Sequence, residues 1–238
     1  MGEIIESAFM PSGVLRSAHL QTLWGPMLRR PSPLSRRRET LPLEDGDHLL
    51  LDHLVPAPWP HTPPLTVLLI HGLSGCSDSH YVLGTQRRLA KAGIASVAMN
   101  SRGAARPNDT ALSYHAGETD DLDAVIRHLS GGAARRPLLA IGVSLGGSRL
   151  LNWLAQRDNG ALSAAVAVCS PLQLAACADR MDQGISRLYR RHLIKQLLAN
   201  VERQRRHLQD VAPDQARRLA ALDTGGLNSC LLYTSDAA

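Results

Sequence analysis

Gly142-Val143-Ser144-Leu145-Gly146 is the stretch on which the reading of this chain turns. The apolar run Leu138 to Ile141 leads straight into it, and a helix-like segment, Leu145 to Arg157, leads straight out. Gly-x-Ser-x-Gly between a strand and a helix is the pattern of a nucleophile elbow. The sharp turn lifts the serine hydroxyl out of the fold. Strand and helix pass too closely there for side chains at Gly142 and Gly146.

Outward from this turn the pattern is strand, then helix, repeatedly. Upstream, Leu65 to Ile70 is a continuous apolar run, followed by a Gly/Ser loop and a helical stretch from about Ser79 to Ala92, stopped by Gly93. Ile94 to Met99 is the next strand. A loop, Ser101 to Gly117, leads to a helix whose first turn is rich in carboxylates (Glu118, Asp120, Asp121, Asp123), which suit the positive end of a helix dipole. In that helix Leu122, Val125, Ile126 and Leu129 share one face, and Gly131-Gly132 stop it. Downstream, Leu162 to Val168 is another strand. Apolar strands bounded by helices predict a mostly parallel sheet covered on both faces.

The rest divides simply. Residues 1–37 read as an irregular N-terminal arm, broken by Pro11, Pro26, Pro31 and Pro33. Residues 38–171 are the core; within them two short strands flank Asp45-Gly46-Asp47, and Pro56 to Pro64 is a connector. Residues 172–229 carry an amphipathic stripe (Ile185, Leu188, Tyr189, Leu193, Ile194, Leu197, Leu198, Val201) and no strand, so they read as a helical cap.

Composition narrows the function classes. A chain of 238 residues buries one good core. Its net charge of +5 is almost all arginine, as Lys91 and Lys195 are the only lysines. With abundant Ala, Leu and Arg, this reads as the codon bias of a GC-rich bacterial genome. The runs Arg36 to Arg38 and Arg203 to Arg206 have no aromatic platform beside them and read as solvated faces, so no nucleic-acid partner is expected. The four cysteines have no paired spacing, so neither a disulfide framework nor a metal is expected; Cys76, Cys169 and Cys177 read as buried or half-buried thiols. Met1 to Val14 is no signal peptide, and no run approaches a membrane span. A cytoplasmic setting is expected.

Acyl transfer to serine needs a nucleophile, donors for the developing oxyanion, and a base held by an acid. Ser144 is the expected nucleophile. The donors are expected to be the backbone N–H groups of Leu145 and of Leu73, which follows His71-Gly72 at the end of the Leu65 to Ile70 strand. His71 is expected to order that loop rather than act as a base. No cofactor is needed.

Several blocks carry a family resemblance. They are Leu15-Arg16-Ser17-Ala18-His19-Leu20-Gln21-Thr22, His71 to Gly75, Ser79-His80-Tyr81, Asn100 to Gly103, Tyr114-His115-Ala116-Gly117-Glu118-Thr119, Gly142 to Gly147, and Gly184 to Tyr189. In this order, from about residue 9 to about 225, they resemble the YheT-type α/β-hydrolases of the AB hydrolase 4 family. The resemblance implies an α/β-hydrolase fold with a cap, and a carboxylic-ester hydrolase acting on a small-molecule ester, with lipid-like esters favoured and contact with a lipid surface left open. It carries Ser144 over as the nucleophile. Ser101 stands where relatives usually place an aromatic, and Ala104-Ala105 replace a Cys/Gly-containing turn. His80, His115 and Glu118 match family positions and read as loop-ordering groups. The competing readings are an acyltransferase or thioesterase using the same acyl-serine, and a non-catalytic binding protein of this fold.

In such hydrolases the acid and the histidine follow the serine. Here only His192 and His207 do, both on the helical stripe, and Asp158, Asp179, Asp182, Asp210, Asp214 and Asp223 lack a preceding strand. The expectation is that the triad acid and histidine, with the C-terminal strands, are missing from this chain. Cys230 to Ala238 reads as the in-frame translation of a transposase sequencing adapter, so residues 230–238 are expected to be an artefact tail on a truncated gene.

Overall fold

A computed structural model describes residues 3, 5–28, 32–56, 65–131, 136–157 and 159–220. The greater part of the Pro-rich connector and the whole of 221–238, with the adapter-like tail, lie outside the described residues.

Six strands form one sheet: β1 (Arg37–Pro42), β2 (His48–Leu54), β3 (Thr66–Ile70), β4 (Ala95–Asn100), β5 (Leu138–Val143) and β6 (Ala164–Val168). Their order is β1-β2-β4-β3-β5-β6. β4, β3, β5 and β6 are parallel, and β1 and β2 add antiparallel strands at one edge. The α/β-hydrolase core is therefore present as a mostly parallel open sheet. The helices are α1 (Ala18–Leu28), α2 (His80–Lys91), α3 (Asp120–Ser130), α4 (Leu145–Gln156), α5 (Leu174–Met181), α6 (Ser186–Val211) and α7 (Pro213–Ala220).

Each central strand faces two cores, as the period of two demands. Leu68 and Ile70 of β3 join Val97 and Met99 of β4 in a cluster closed by Leu122, Val125 and Ile126 of α3 and by Leu150 and Trp153 of α4. Their neighbours Val67, Leu69 and Ala98 join the other cluster, under Val82 of α2. Burying one such aliphatic side chain is worth about 1.5–3 kcal/mol, so these two layers hold the sheet. Among the described residues the sheet ends at β6, as expected with the C-terminal strands missing. It is the edge strand, and all five of its residues are exposed among the described residues. The cysteines differ from expectation: Cys76 is half-buried, but Cys169, just past that open edge, and Cys177 on α5 are exposed.

The register places function. Ile70 lies beside Gly142, and Val143 beside Val168, so the carboxyl ends of β3, β5 and β6 align. From β3 the chain steps to β4 on one side; β5 and β6 lie on the other. That change of direction opens a crevice between the loops after β3 and β5, where open α/β sheets bind ligands.

Two further segments close on this edge. The arm is more ordered than its prolines imply: α1 docks through His19, whose Nδ1 lies 2.8 Å from the Tyr189 hydroxyl on α6. Gly25 sits so close to His80 that a Cβ there would lie 2.6 Å from its Nε2. Farther along α6, Gln204 grips the loop after β4. Its amide donates to the carbonyls of Asn108 and Thr110 and its Oε1 accepts from the Asn108 N–H. Arg203 donates to the Gly103 carbonyl, and His207 pairs with Asp109 at 2.9 Å. Leu208 of α6 packs with Ala216 and Leu219 of α7 and with Ala111 of that loop.

Candidate active site

Ser144 stands between β5 and α4 with φ 53° and ψ −123°. For a residue with a Cβ this is strained backbone, costing about 1–3 kcal/mol unless its surroundings impose it. They do. Its N–H donates to the Val168 carbonyl of β6 at 2.8 Å, and its carbonyl accepts from the N–H groups of Gly147 and Ser148. The glycines make the turn fit. A Cβ on Gly142 would lie 2.4 Å from the Gly146 carbonyl oxygen; one on Gly146 would lie 2.4 Å from the His71 oxygen and 2.5 Å from the Ile70 oxygen. Those are backbone atoms, of α4 in the first case and of β3 and its loop in the second, and cannot swing aside. Gly146→Ala is therefore expected to cost about 1–3 kcal/mol of stability, the range for over-packing. The urea midpoint measures it, and an unchanged midpoint would contradict this packing.

The loop after β3 approaches from the other side. A Cβ on Gly72 would lie 3.1 Å from Ser144 Cβ and 3.6 Å from its Oγ. The Gly75 N–H closes a turn onto the Gly72 carbonyl at 3.0 Å, with Leu73 and Ser74 at its corners. Ser74 has φ 54°. Among the described residues the non-glycine positions of positive φ are Ser74, Ser144 and Cys169, all just beyond the carboxyl ends of β3, β5 and β6. Strain is thus concentrated at one edge of neighbouring strands. The Gly72 N–H donates to the Tyr81 hydroxyl and the Ser74 N–H to the Tyr114 hydroxyl, both at 2.9 Å. The Ser74 hydroxyl donates to Gln196 Oε1 of α6 at 2.8 Å. Leu73 packs against the buried cluster of Tyr114, Ala116 and Leu145, as does Leu174 of α5. Neither the Leu73 N–H nor the Leu145 N–H donates to an acceptor among the described residues.

Behind the loop lies a buried polar frame that the sequence alone does not announce. His71 is 1% exposed; its Nδ1 donates to the Gly72 carbonyl at 2.8 Å, and its Nε2 accepts the Ser101 N–H at 3.1 Å. Burial, with the nearby Arg149 charge, lowers its pKa to about 4 despite the bond to Gly72. His71 is a neutral loop-ordering group with both nitrogens engaged. Arg149 of α4 is fully buried. It donates to Ser101 Oγ at 2.7 Å, to the Glu118 carbonyl and to the Glu118 carboxylate, and lies 5.7 Å from the Tyr114 ring centre. Ser101, Glu118 and Tyr114 thus come from separate segments to satisfy one buried charge. A charge removed from water persists only when so paired.

Other histidines and carboxylates are placed elsewhere. His192 Nε2 meets the Gln196 amide at 3.0 Å and His207 meets Asp109, while Ser144 Oγ has no hydrogen-bond partner among the described residues. His115 has a buried Nδ1 without a partner, and burial lowers its pKa. Asp47, His48 and Asp109 bring ligand atoms within 4.8 Å of one another. That group is internally satisfied. His48 Nε2 accepts from Arg106, which places its proton on Nδ1 toward the two carboxylates, and Asp47 takes Thr110, Arg102 and the His48 N–H.

Residues 61–237 match the family described as serine aminopeptidase, S33 (Hydrolase_4). The chain belongs to this family of α/β-hydrolases. It is 37% identical over 198 residues to the Escherichia coli (strain K12) protein named "Putative esterase YheT", covering 82% of this chain and 58% of that protein. It is 28% identical over 215 residues to the mouse phospholipase ABHD3, covering 86% and 51%. The chain therefore spans little more than half the length of these relatives. Among solved structures, the Pyrococcus furiosus esterase Pf2001 superposes with a TM-score of 0.50 at 19% identity, covering 63% of this chain and 57% of that one. This likeness is one of fold. Among the described residues no helix is long and apolar enough to cross a membrane.

Proposed function

We propose that this chain carries the nucleophile and the oxyanion donors of a serine esterase that cleaves small-molecule carboxylic esters. One observation carries the reading. Ser144 is held at φ 53° on a strand-to-helix turn, beside Gly72, with the Leu73 and Leu145 N–H groups left without protein acceptors. The names of the relatives, an esterase and a phospholipase, point to the same bond.

In this reading Ser144 Oγ attacks the ester carbonyl carbon and loses its proton to a base. The C=O π bond breaks, and its electron pair becomes an oxyanion held by the Leu73 and Leu145 N–H groups. Both are fixed before the reaction, so they need no reorganisation as charge develops. Leu145 also opens α4, whose dipole favours negative charge at that end. The oxyanion collapses, the alkoxide leaves with a proton, and water cleaves the acyl-serine by the same route. α5 to α7 serve as the cap: from that segment Gln196 reaches Ser74 of the oxyanion loop, and Leu174 packs on the cluster of Tyr114, Ala116 and Leu145 beside it.

The acyl-serine is the test. The protein is extended with its native downstream coding sequence to the length of YheT and treated with a fluorophosphonate. Mass spectrometry is expected to find one adduct, on the peptide containing Ser144. An adduct on another residue, or a catalytically competent protein that takes none, would overturn the assignment.

A further inference from the structure

The sequence marks Tyr81 and Tyr114 only as members of the blocks that carry the family resemblance, and the ester chemistry above uses neither. Their placement is specific. Leu73 sits between two residues whose N–H groups are each tied to a phenol oxygen: Gly72 to Tyr81 and Ser74 to Tyr114, both at 2.9 Å. The two phenols come from different places, one from α2 and one from the long loop before α3. Gly75 admits the first of them, since a Cβ there would lie 2.9 Å from the Tyr81 oxygen. The second is buried, with His71 edge-on to its ring at 5.5 Å and the Arg149 guanidinium beside it.

We propose that the Tyr81 and Tyr114 hydroxyls are positioning groups for the Leu73 N–H. Resting on the serine-esterase reading, the proposal adds what aims that donor. A backbone amide stabilises an oxyanion only if it is fixed within hydrogen-bond geometry of where the charge forms. The loop here bends through Ser74 at φ 54°, a conformation that a serine leaves readily unless held. The two phenols accept the flanking N–H groups and leave the middle one open to substrate. Losing either oxygen leaves a buried or half-buried N–H unpaired, and the turn can relax by rotating its peptide planes, which misdirects Leu73. Substrate contacts made elsewhere are untouched, so the loss falls on the transition state.

Tyr81→Phe and Tyr114→Phe keep the rings and remove only the oxygens. In the 238-residue chain, amide exchange followed by NMR is expected to quicken at least about tenfold at Gly72 in the first variant and at Ser74 in the second. Exchange at Leu68 and Val97 of the sheet is expected to stay as in the parent. Unchanged exchange at Gly72 and Ser74, or an equal rise throughout the sheet, overturns the proposal. Each variant reports on its own amide, so one that fails to fold leaves the other decisive. In the protein extended to the length of YheT, each variant is expected to lower kcat on a p-nitrophenyl ester about tenfold with KM within twofold. The inhibition constant of a trifluoromethyl ketone, which forms an oxyanion adduct with serine, is expected to rise in step with the loss in kcat. A Ser144→Ala variant of the same protein separates the two possible failures. If it still turns over, the esterase reading is wrong. If it is silent while both phenylalanine variants match the parent in kcat, the positioning proposal is wrong.

Discussion

Ser144→Ala is expected to lower kcat/KM for an activated ester by roughly 10⁴–10⁶-fold in the protein extended to the length of YheT, and by less than about tenfold in the 238-residue chain. The contrast is the informative part. Nucleophile and base act as a unit, so removing one costs almost as much as removing both. Among the described residues Ser144 Oγ has no hydrogen-bond partner; of the α6 histidines, His192 is occupied by Gln196 and His207 by Asp109 of the loop after β4. Without a base the hydroxyl is a poor nucleophile, and what rate remains comes from the oxyanion donors and from binding. Replacing it then changes little. The four rates form a cycle whose coupling measures what the extension contributes to Ser144. If Ser144→Ala instead silenced an already efficient 238-residue chain, a base would be acting within it, and His192 on α6 would be the first residue to change.

The elbow was legible in the sequence because its constraint is steric and local. A Cβ on Gly142 would lie 2.4 Å from the Gly146 carbonyl oxygen of α4, and one on Gly146 within 2.5 Å of backbone oxygens of β3 and its loop, so only glycine fits at either position. The strands were legible for a similar reason: Leu65 to Ile70 and Leu138 to Val143 alternate between two apolar clusters, and Thr66 is the one polar side chain in them. The frame behind the site was not legible. An arginine in a helix normally marks its solvated face, and nothing near Arg149 in sequence says otherwise. Its burial is decided by Glu118, Ser101 and Tyr114, at separations of 31 to 48 residues for the hydrogen bonds, and such pairing is tertiary. The same limit explains α1, whose docking to Tyr189 and His80 lies outside its own segment. β6 was legible for another reason: with the C-terminal strands expected to be missing, the apolar run Leu162 to Val168 is the last strand of the pattern, and the sheet order places it at the open edge.

Stability is expected to fall as the pH drops from about 6.5 to 4, by roughly 3 kcal/mol through His71 alone. In the folded chain the His71 ring is enclosed: Nδ1–H donates to the Gly72 carbonyl, and Nε2 accepts the Ser101 N–H. A second proton on Nε2 would face that N–H head-on, in a site that also feels Arg149. Burial accordingly lowers the pKa to about 4 from an ordinary value of 6.5. Above 6.5 the ring is neutral in folded and unfolded chains alike, and its contribution is fully present. Between 6.5 and 4 the unfolded chain takes up a proton that the folded chain refuses, so unfolding gains free energy with each step down in pH. Below 4 the folded form must also protonate, and the bond to Ser101 is lost. His53 and His115, also lowered by burial, act in the same direction. The buried Asp52 acts only below this window. Burial would raise its pKa, but Arg38, Ser77 and Asn100 outweigh that and hold it below 3.8, so its share disappears at stronger acidity. Urea unfolding at pH 7, 5.5 and 4.5 measures the slope. His71→Gln is expected to be less stable at pH 7 and to lose most of the dependence between 6.5 and 4.5. A parent chain equally stable across that range, or a variant that keeps the full slope, would show that the buried imidazole is not what acid attacks first.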